Sequence, residues 1–163
     1  MIGKFRLRRW QRSERGIAAV EAALVAPVLL FAGLAVIDGA YLMLTIHKIE
    51  SGLSAGAAYL SRSPAPASVE SFGRNVAVKG NPAGTGDPIV KDWSTDDVTV
   101  TIQSVANTGG EDGGDTVLRG GDAIYVVRMQ TRYEYDGLGL LKLVGLGDLE
   151  LSGFHEERAF GAR

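Results

Sequence analysis

The sequence predicts an α+β fold, in which a long N-terminal transmembrane helix precedes a small head of about three antiparallel strands and a short extra helix. Three observations carry this prediction: a basic leader, an apolar stretch of about 30 residues, and alternating strand signals in the second half of the chain. We divide the 163 residues into a basic cytoplasmic leader at 1–16, a transmembrane and amphipathic stem helix at 17–61, and an extracytoplasmic head at 62–163.

The leader and the apolar stretch set the orientation of the membrane helix. Before Gly16 the chain has six basic residues against the single acid Glu14, and such a flank stays in the cytoplasm. Residues 22–37 carry no charge, and only Asp38 interrupts the apolar character as far as Ile46. As a helix, residues 17–46 span about 45 Å, which exceeds a hydrocarbon core of about 30 Å. The head is therefore expected outside the cytoplasm.

An ordinary secretory signal and a plain uncleaved signal anchor are the two alternatives. A secretory signal is cleaved after its apolar region, for which the small residues of "SAGAAYL" would serve, but the run here exceeds a typical h-region of about 7–15 residues. An uncleaved anchor explains the hydrophobicity equally well. Neither alternative explains Glu21, because an ionised carboxylate costs about 2.5 kcal/mol or more near the bilayer centre.

Glu21 gains a counter-charge if the chain is cut after Gly16. The new amine of Ile17 then lies four residues from Glu21, and a neighbouring subunit shifted along the helix axis brings its own amine to this acid. Neutralisation between subunits would set the register of assembly. The alternative is that Glu21 sits at the cytoplasmic lipid interface, close to Arg15.

Four segments of this region, "RG", "AAVE", "ALVAPVLL" and "LAVIDGAYLM", resemble the TadE-like pseudopilins of tight-adherence (Flp-type) pilus systems, a branch of the type IV pilin superfamily. The resemblance implies that an aspartyl prepilin peptidase cuts between Gly16 and Ile17. At one position the chain departs from Flp-type sites, which usually place an aromatic residue after the glutamate, because Ala22 stands there. The residues assigned to assembly are Glu21, Pro27 and Asp38.

The resemblance also implies a function, partners and a location. We expect a minor pseudopilin or an assembly factor in pilus biogenesis, not the bulk pilin, because bulk Flp pilins are very short. The expected partners are the prepilin peptidase, other pilins or pseudopilins bound through the N-terminal helix, the inner-membrane assembly platform and the lipid bilayer. The expected location is the bacterial inner membrane in a single pass, with or without entry into a surface pilus that serves adhesion and biofilm formation.

Pro27 and Asp38, both inside the helix, each have a physical consequence that can be argued without the resemblance. Pro27 removes one backbone hydrogen bond and is expected to kink or loosen the helix, which membrane helices tolerate. Asp38 lies 17 residues past Glu21, about 26 Å along the axis, so the two acids approach opposite faces of the bilayer. Asp38 either faces another helix or a basic group of a partner, or marks the outer interface.

The spacing of apolar residues predicts the secondary structure that follows the membrane helix. Apolar residues at three- and four-residue steps continue the helix to about Ser61, where Pro64 and Pro66 follow. A short helix is predicted over residues 67–78, with Val69, Phe72, Val76 and Ala77 on one apolar face. Strands are predicted around residues 98–102 and over 123–135 and 149–160. They form a small head of the pilin-like kind.

A glycine-rich acidic loop lies between the first two strands. Its sequence "NTGGEDGGDTVLRGGD" partly resembles calcium-binding glycine-aspartate repeats, and carboxylate oxygens are the ligands that calcium requires. The predicted ligands are Asp112, Asp115 and Asp122. The alternative function is therefore a membrane-anchored extracytoplasmic binding protein that takes up calcium in this loop; the structural alternative is a simple hairpin loop.

Catalytic signals are sparse. The chain has no cysteine, its two histidines stand outside any metal-ligand spacing, and no "GK[ST]" motif occurs. We therefore predict that the protein is not an enzyme, with a tethered enzyme as the third alternative, and we expect no resident cofactor other than calcium. Removal of residues 1–16 leaves 11 basic against 18 acidic residues, a net charge of −7, which argues against nucleic-acid binding.

Overall fold

The computed structural model describes residues 14–107, 123–137, 139 and 149–159. Its secondary structure confirms the predicted α+β class, with a long helix, a short helix and an antiparallel sheet. The elements, in chain order, are α1 (Glu14–Ser61), a 3-10 turn (Pro66–Val69), α2 (Glu70–Lys79), a second 3-10 turn (Thr95–Asp97), β1 (Val98–Ala106), β2 (Ala123–Tyr135) and β3 (Leu149–Ala159). The chain divides into two compact units, one as far as Ile37 and the other from Asp38 onward.

The first unit consists, in its described part, of the beginning of α1. Its side chains are exposed almost throughout, and Pro27 lies inside the helix without ending it. The second unit contains the rest of α1 and all the other elements. The predicted end of the helix at Ser61 is confirmed, and the two prolines that follow explain it because the residue before a proline disfavours helical dihedrals.

The sheet has the strand order β1-β2-β3, and both pairs are antiparallel. Val98 pairs with Thr131 at one end of the first ladder, and Tyr135 pairs with Leu149 in the second. Side chains alternate across the pleat, so that Val127 and Met129 of β2 are fully buried while Arg128 between them points to the opposite face. The three predicted strands are confirmed: β2 and β3 agree with their predicted bounds within a residue, whereas β1 continues four residues beyond the predicted segment.

The hydrophobic core lies between the sheet and the second half of α1. Because four apolar residues of α1 recur at steps of three and four, they form one face, and they are nearly or fully buried. Trp93, in the loop before β1, fills the same core at 2% exposure. The core comprises Ile49, Leu53, Ala57, Leu60, Ala77, Val78, Val90, Trp93, Val98, Val127, Met129 and Ala159.

Glycines allow α1 and α2 to approach closely. A Cβ added at Gly56 would lie 2.7 Å from the carbonyl oxygen of Gly73, and one added at Gly52 would collide with the carbonyl oxygen of Ala77. A Cβ at Gly73 would meet the side chain of Leu60 at 2.5 Å. The two helices therefore pack backbone to backbone at these points, which only glycine permits.

The predicted short helix is confirmed, and its buried face agrees with the predicted one only in part. The helix proper begins at Glu70 after the 3-10 turn and ends with Gly80 in the left-handed conformation, at φ 74°. It buries Gly73, Ala77 and Val78, whereas Phe72 remains 44% exposed. The reason is the close approach at Gly73, which turns the neighbouring Phe72 about 100° away from α1.

Candidate functional site

The beginning of α1 is an exposed apolar surface. Ile17, Leu24 and Val36 are exposed by 61%, 71% and 72%. A continuous surface of this kind is not stable in water and requires a lipid or protein environment. Within the described part of the chain, the one helix long and apolar enough to cross a membrane is Gly16–Ser61. The helix fits a single-pass membrane anchor.

The predicted cleavage site lies at the start of this helix. Gly16 is the third residue of α1, and nothing lies within 4 Å of a Cβ built there. A peptidase acts on an extended chain, so the first turn must unwind before cleavage. This unwinding costs little, because the first turn of a helix lacks four internal hydrogen bonds and glycine weakens it further. Cleavage itself remains a prediction.

Glu21 and Pro27 lie on the exposed part of the helix, as contact with neighbouring subunits would require. Glu21 is one turn beyond Ile17, and no hydrogen bond or ion pair joins its side chain to another residue that the structure describes. Its carboxylate is therefore accessible to a neighbouring chain. The assembly roles of Glu21 and Pro27 stay predictions.

Asp38 has an intramolecular environment that the sequence did not indicate. Its side chain is fully buried, and the phenol of Tyr135 donates a hydrogen bond to its Oδ1 at 3.1 Å and approaches its carbonyl oxygen at 3.3 Å. The ring of Tyr41, one turn further along α1, lies 6.3 Å from the ring of Tyr135. Asp38 thus joins the helix to the end of β2, and its predicted role between subunits stays a prediction.

This contact affects the chemistry of Tyr135. Burial, together with the hydrogen bond to the Asp38 carboxylate and its negative charge, raises the pKa of the Tyr135 phenol well above its usual value. The phenol therefore stays protonated and remains a donor under all physiological conditions. Sequence reasoning missed Tyr135 because the pair is 97 residues apart. The sequence signal for this contact was weak: Tyr135 is the last residue of the predicted strand, and the alternation places it on the buried face.

The predicted calcium ligands, Asp112, Asp115 and Asp122, lie outside the described residues, so calcium binding in this loop stays a prediction. Elsewhere, among the residues that the structure describes, no group of three or more histidine, aspartate or glutamate side chains is arranged to hold a metal ion.

The outer face of the sheet carries an open groove of about 560 Å³. Arg128 stacks over the ring of Phe154, with 4.5 Å between the guanidinium carbon and the ring centroid, and its Nη1 lies 3.0 Å from Glu156 Oε1. The charge of Arg128 is thus balanced by its neighbour. The groove offers a polar surface and holds no nucleophile paired with a base among its lining residues.

Comparison with known proteins agrees with the N-terminal pattern. Residues 16–58 match the family described as TadE-like protein. No curated protein and no solved structure matches the chain. The matched segment begins at the predicted cleavage site and includes Glu21, Pro27, Asp38 and the glycines that pack against α2. The resemblance to TadE-like proteins seen in the sequence is therefore confirmed for residues 16–58.

Proposed function

We propose that this chain is a minor pseudopilin or assembly factor in the biogenesis of a tight-adherence (Flp-type) pilus, and that a prepilin peptidase processes it after Gly16. The observation that carries the proposal is the TadE-like match, which starts at Gly16 and covers a helix whose first half exposes its apolar side chains. A structural role in assembly needs no catalytic group.

Processing would convert a neutral peptide bond into a charged amine at the membrane surface. The basic leader holds the uncleaved N-terminus in the cytoplasm. After cleavage, the amine of Ile17 is the new terminus, and Glu21 is the acid one turn away. A carboxylate in lipid costs about 2.5 kcal/mol or more, so an amine from an adjacent subunit that neutralises it favours lateral association.

The composition of the membrane helix also indicates which partners it binds. A helix that is apolar on all sides and rich in small residues packs closely against other membrane helices, because van der Waals contact drives their association in lipid. We therefore expect α1 to bind the helices of other pilins or pseudopilins and the inner-membrane assembly platform. The head, whose core is completed by the second half of α1, remains on the extracytoplasmic side.

Processing is tested by the N-terminal residue of the protein recovered from membranes of its native host, measured by intact mass and N-terminal peptide analysis. A start at Ile17 supports the proposal. The matched control is Gly16→Leu, which should block cleavage without disturbing the fold, since space is open around Gly16. A start at Met1 in cells with an active peptidase would refute processing and favour an uncleaved anchored protein.

Assembly is tested by replacement of the membrane acid. Glu21→Ala should abolish or strongly reduce surface pili while the protein remains in the membrane at normal abundance. Glu50→Ala is the control, because Glu50 is an exposed acid of the same helix whose carboxylate lies 3.7 Å from His47 Nδ1. If both variants support the same number of pili as the unmodified protein, Glu21 has no role in assembly.

A further inference from the structure

β1 forms one edge of the sheet. It pairs with β2 along its whole length, and no backbone hydrogen bond between residues that the structure describes reaches its other side. In an antiparallel ladder, about every second residue of an edge strand directs its N–H and C=O groups away from the neighbouring strand. β1 therefore presents a row of hydrogen-bonding groups along its outer side, where a further strand can bind.

The second half of β1 is open to solvent on both faces of the sheet. Residues 103–106 are all exposed, although successive side chains of a strand point to opposite faces. The apolar side chain of Val105 is 54% exposed, whereas Val98, at the start of the strand, is buried in the core at 2%. β1 therefore extends beyond the core that covers its beginning.

The two edges of the sheet differ in their chemistry. β1 reads "VTVTIQSVA" and contains neither a charge nor a proline. β3, at the opposite edge, carries Glu150, Glu156, Glu157 and Arg158 within 11 residues. Charged side chains and prolines on an edge strand discourage its pairing with another chain. The edge of β3 is thus protected against pairing, whereas the edge of β1 is not.

From these observations we propose that β1 binds the β1 strand of a second copy of this chain in antiparallel orientation, so that two heads share one six-stranded sheet. The occupant must be an uncharged strand with a free edge of its own, because a charged side chain beside β1 would meet no counter-charge. Among the strands that the structure describes, β1 itself meets this requirement, since β2 is central and β3 is charged. This contact between heads is separate from the proposed function, because it requires neither cleavage after Gly16 nor the carboxylate of Glu21.

An antiparallel contact between identical strands is symmetric about a two-fold axis. The axis is placed at Gln103, because the contact then covers residues 100–106 and leaves the buried Val98 outside it. Gln103 lies opposite its own counterpart in this arrangement, and Thr101 lies opposite the partner's Val105. Each of these pairs joins neutral side chains, so no like charges meet across the contact.

Disulfide cross-linking tests this contact, because the chain has no native cysteine. Residues directly opposite each other in an antiparallel pair have Cα atoms about 4.5–5.5 Å apart, which a disulfide can span. The full chain carrying Gln103→Cys, in detergent micelles, should therefore form a covalent dimer on mild oxidation, measured by non-reducing gel electrophoresis. Ser152→Cys is the matched control, because Ser152 is also an exposed strand residue but lies on the charged edge.

A second pair of variants determines the direction of the strands. Chains carrying Thr101→Cys and chains carrying Val105→Cys should cross-link when they are mixed. Neither should cross-link alone, because the two copies of each residue would lie about 14 Å apart along the antiparallel strands.

Dimer formation by Gln103→Cys that clearly exceeds dimer formation by Ser152→Cys supports the proposal. If Gln103→Cys forms no dimer, or forms it no faster than Ser152→Cys, the edges of β1 do not meet and the proposal is wrong. If Thr101→Cys links to itself, the strands run parallel, which also overturns the proposed sheet. All these outcomes leave processing after Gly16 untouched, because the N-terminal residue is measured separately.

Discussion

Gly56 provides a direct test of the close packing between α1 and α2. Its hypothetical Cβ would lie 2.7 Å from the Gly73 carbonyl oxygen, 2.8 Å from Met129 Sδ and 3.0 Å from Ala77 Cβ. The nearest atom belongs to the backbone of α2, so a rotamer change cannot remove the clash. Gly56→Ala must instead separate the two helices or shift the sheet.

The expected change in the free energy of unfolding for Gly56→Ala is the sum of two opposing contributions. Insertion of a methyl group into a packed core typically costs about 1–3 kcal/mol. Replacement of glycine by alanine within a helix returns about 1 kcal/mol through helix propensity. We therefore expect a net loss of up to about 2 kcal/mol, and each kcal/mol lowers the Tm of a domain of this size by about 4 °C.

The control for this substitution is Gly39→Ala. Gly39 belongs to the same helix, but no atom lies within 4 Å of a Cβ built there. The same chemical change should therefore leave stability unchanged or raise it by about 1 kcal/mol. The comparison thus separates crowding from helix propensity.

The assay is thermal unfolding of the full chain in detergent, followed by Trp93 fluorescence. Trp93 is 2% exposed in the affected core, and Trp10→Phe in both variants leaves it as the single tryptophan. If Gly56→Ala is at least as stable as Gly39→Ala, the inferred contact between the helices is absent and the reasoning fails.

Two further predictions concern buried polar contacts. Trp93 Nε1 donates a hydrogen bond to Thr131 Oγ1 at 3.0 Å, so Thr131→Val leaves this buried donor unpaired. Urea titrations should show a free energy of unfolding that is lower by about 1–3 kcal/mol. Thr101→Val, on the other face of the sheet, is the control and should have little effect. The second prediction concerns Tyr135, whose phenol has a raised pKa in the folded protein. Above the unfolded pKa of about 10, the phenol therefore stays protonated in the folded state and loses its proton in the unfolded state. Stability should therefore be full below about pH 10 and fall as pH rises above it, and Tyr135→Phe should weaken this dependence; an unchanged slope would contradict the buried contact with Asp38.

The elements of this fold were predictable because their signals are local. The apolar steps from Ile49 to Leu60, the prolines after Ser61 and the alternation in β2 each lie within one element. The exposure of Phe72 in α2 was not predictable, because it depends on the absence of a side chain at Gly73, opposite Leu60. Hydrophobic periodicity favours Phe72 for burial and contains no information about backbone approach.

The candidate site likewise combines local features that the sequence reveals with a long-range contact that it does not. Gly16, Ile17 and Glu21 could be proposed from the sequence because their spacing is local, and their roles stay predictions. The environment of Asp38 was hidden because Tyr135, its hydrogen-bond donor, is distant in sequence and becomes adjacent only when β2 packs against the helix. A buried acid in a membrane-edge helix indicates that a partner is needed, but sequence does not tell whether the partner belongs to the same chain.

The placement of Ile49, Leu53, Ala57 and Leu60 in the core has a practical consequence for expression. A fragment cut at the predicted boundary before residue 62 would lose these four side chains and expose the inner face of the sheet, including Met129, to solvent. Such a fragment is expected to aggregate. A soluble head for crystallisation or binding studies should begin near Asp38, where the second compact unit starts, and keep the helix as its first folded element.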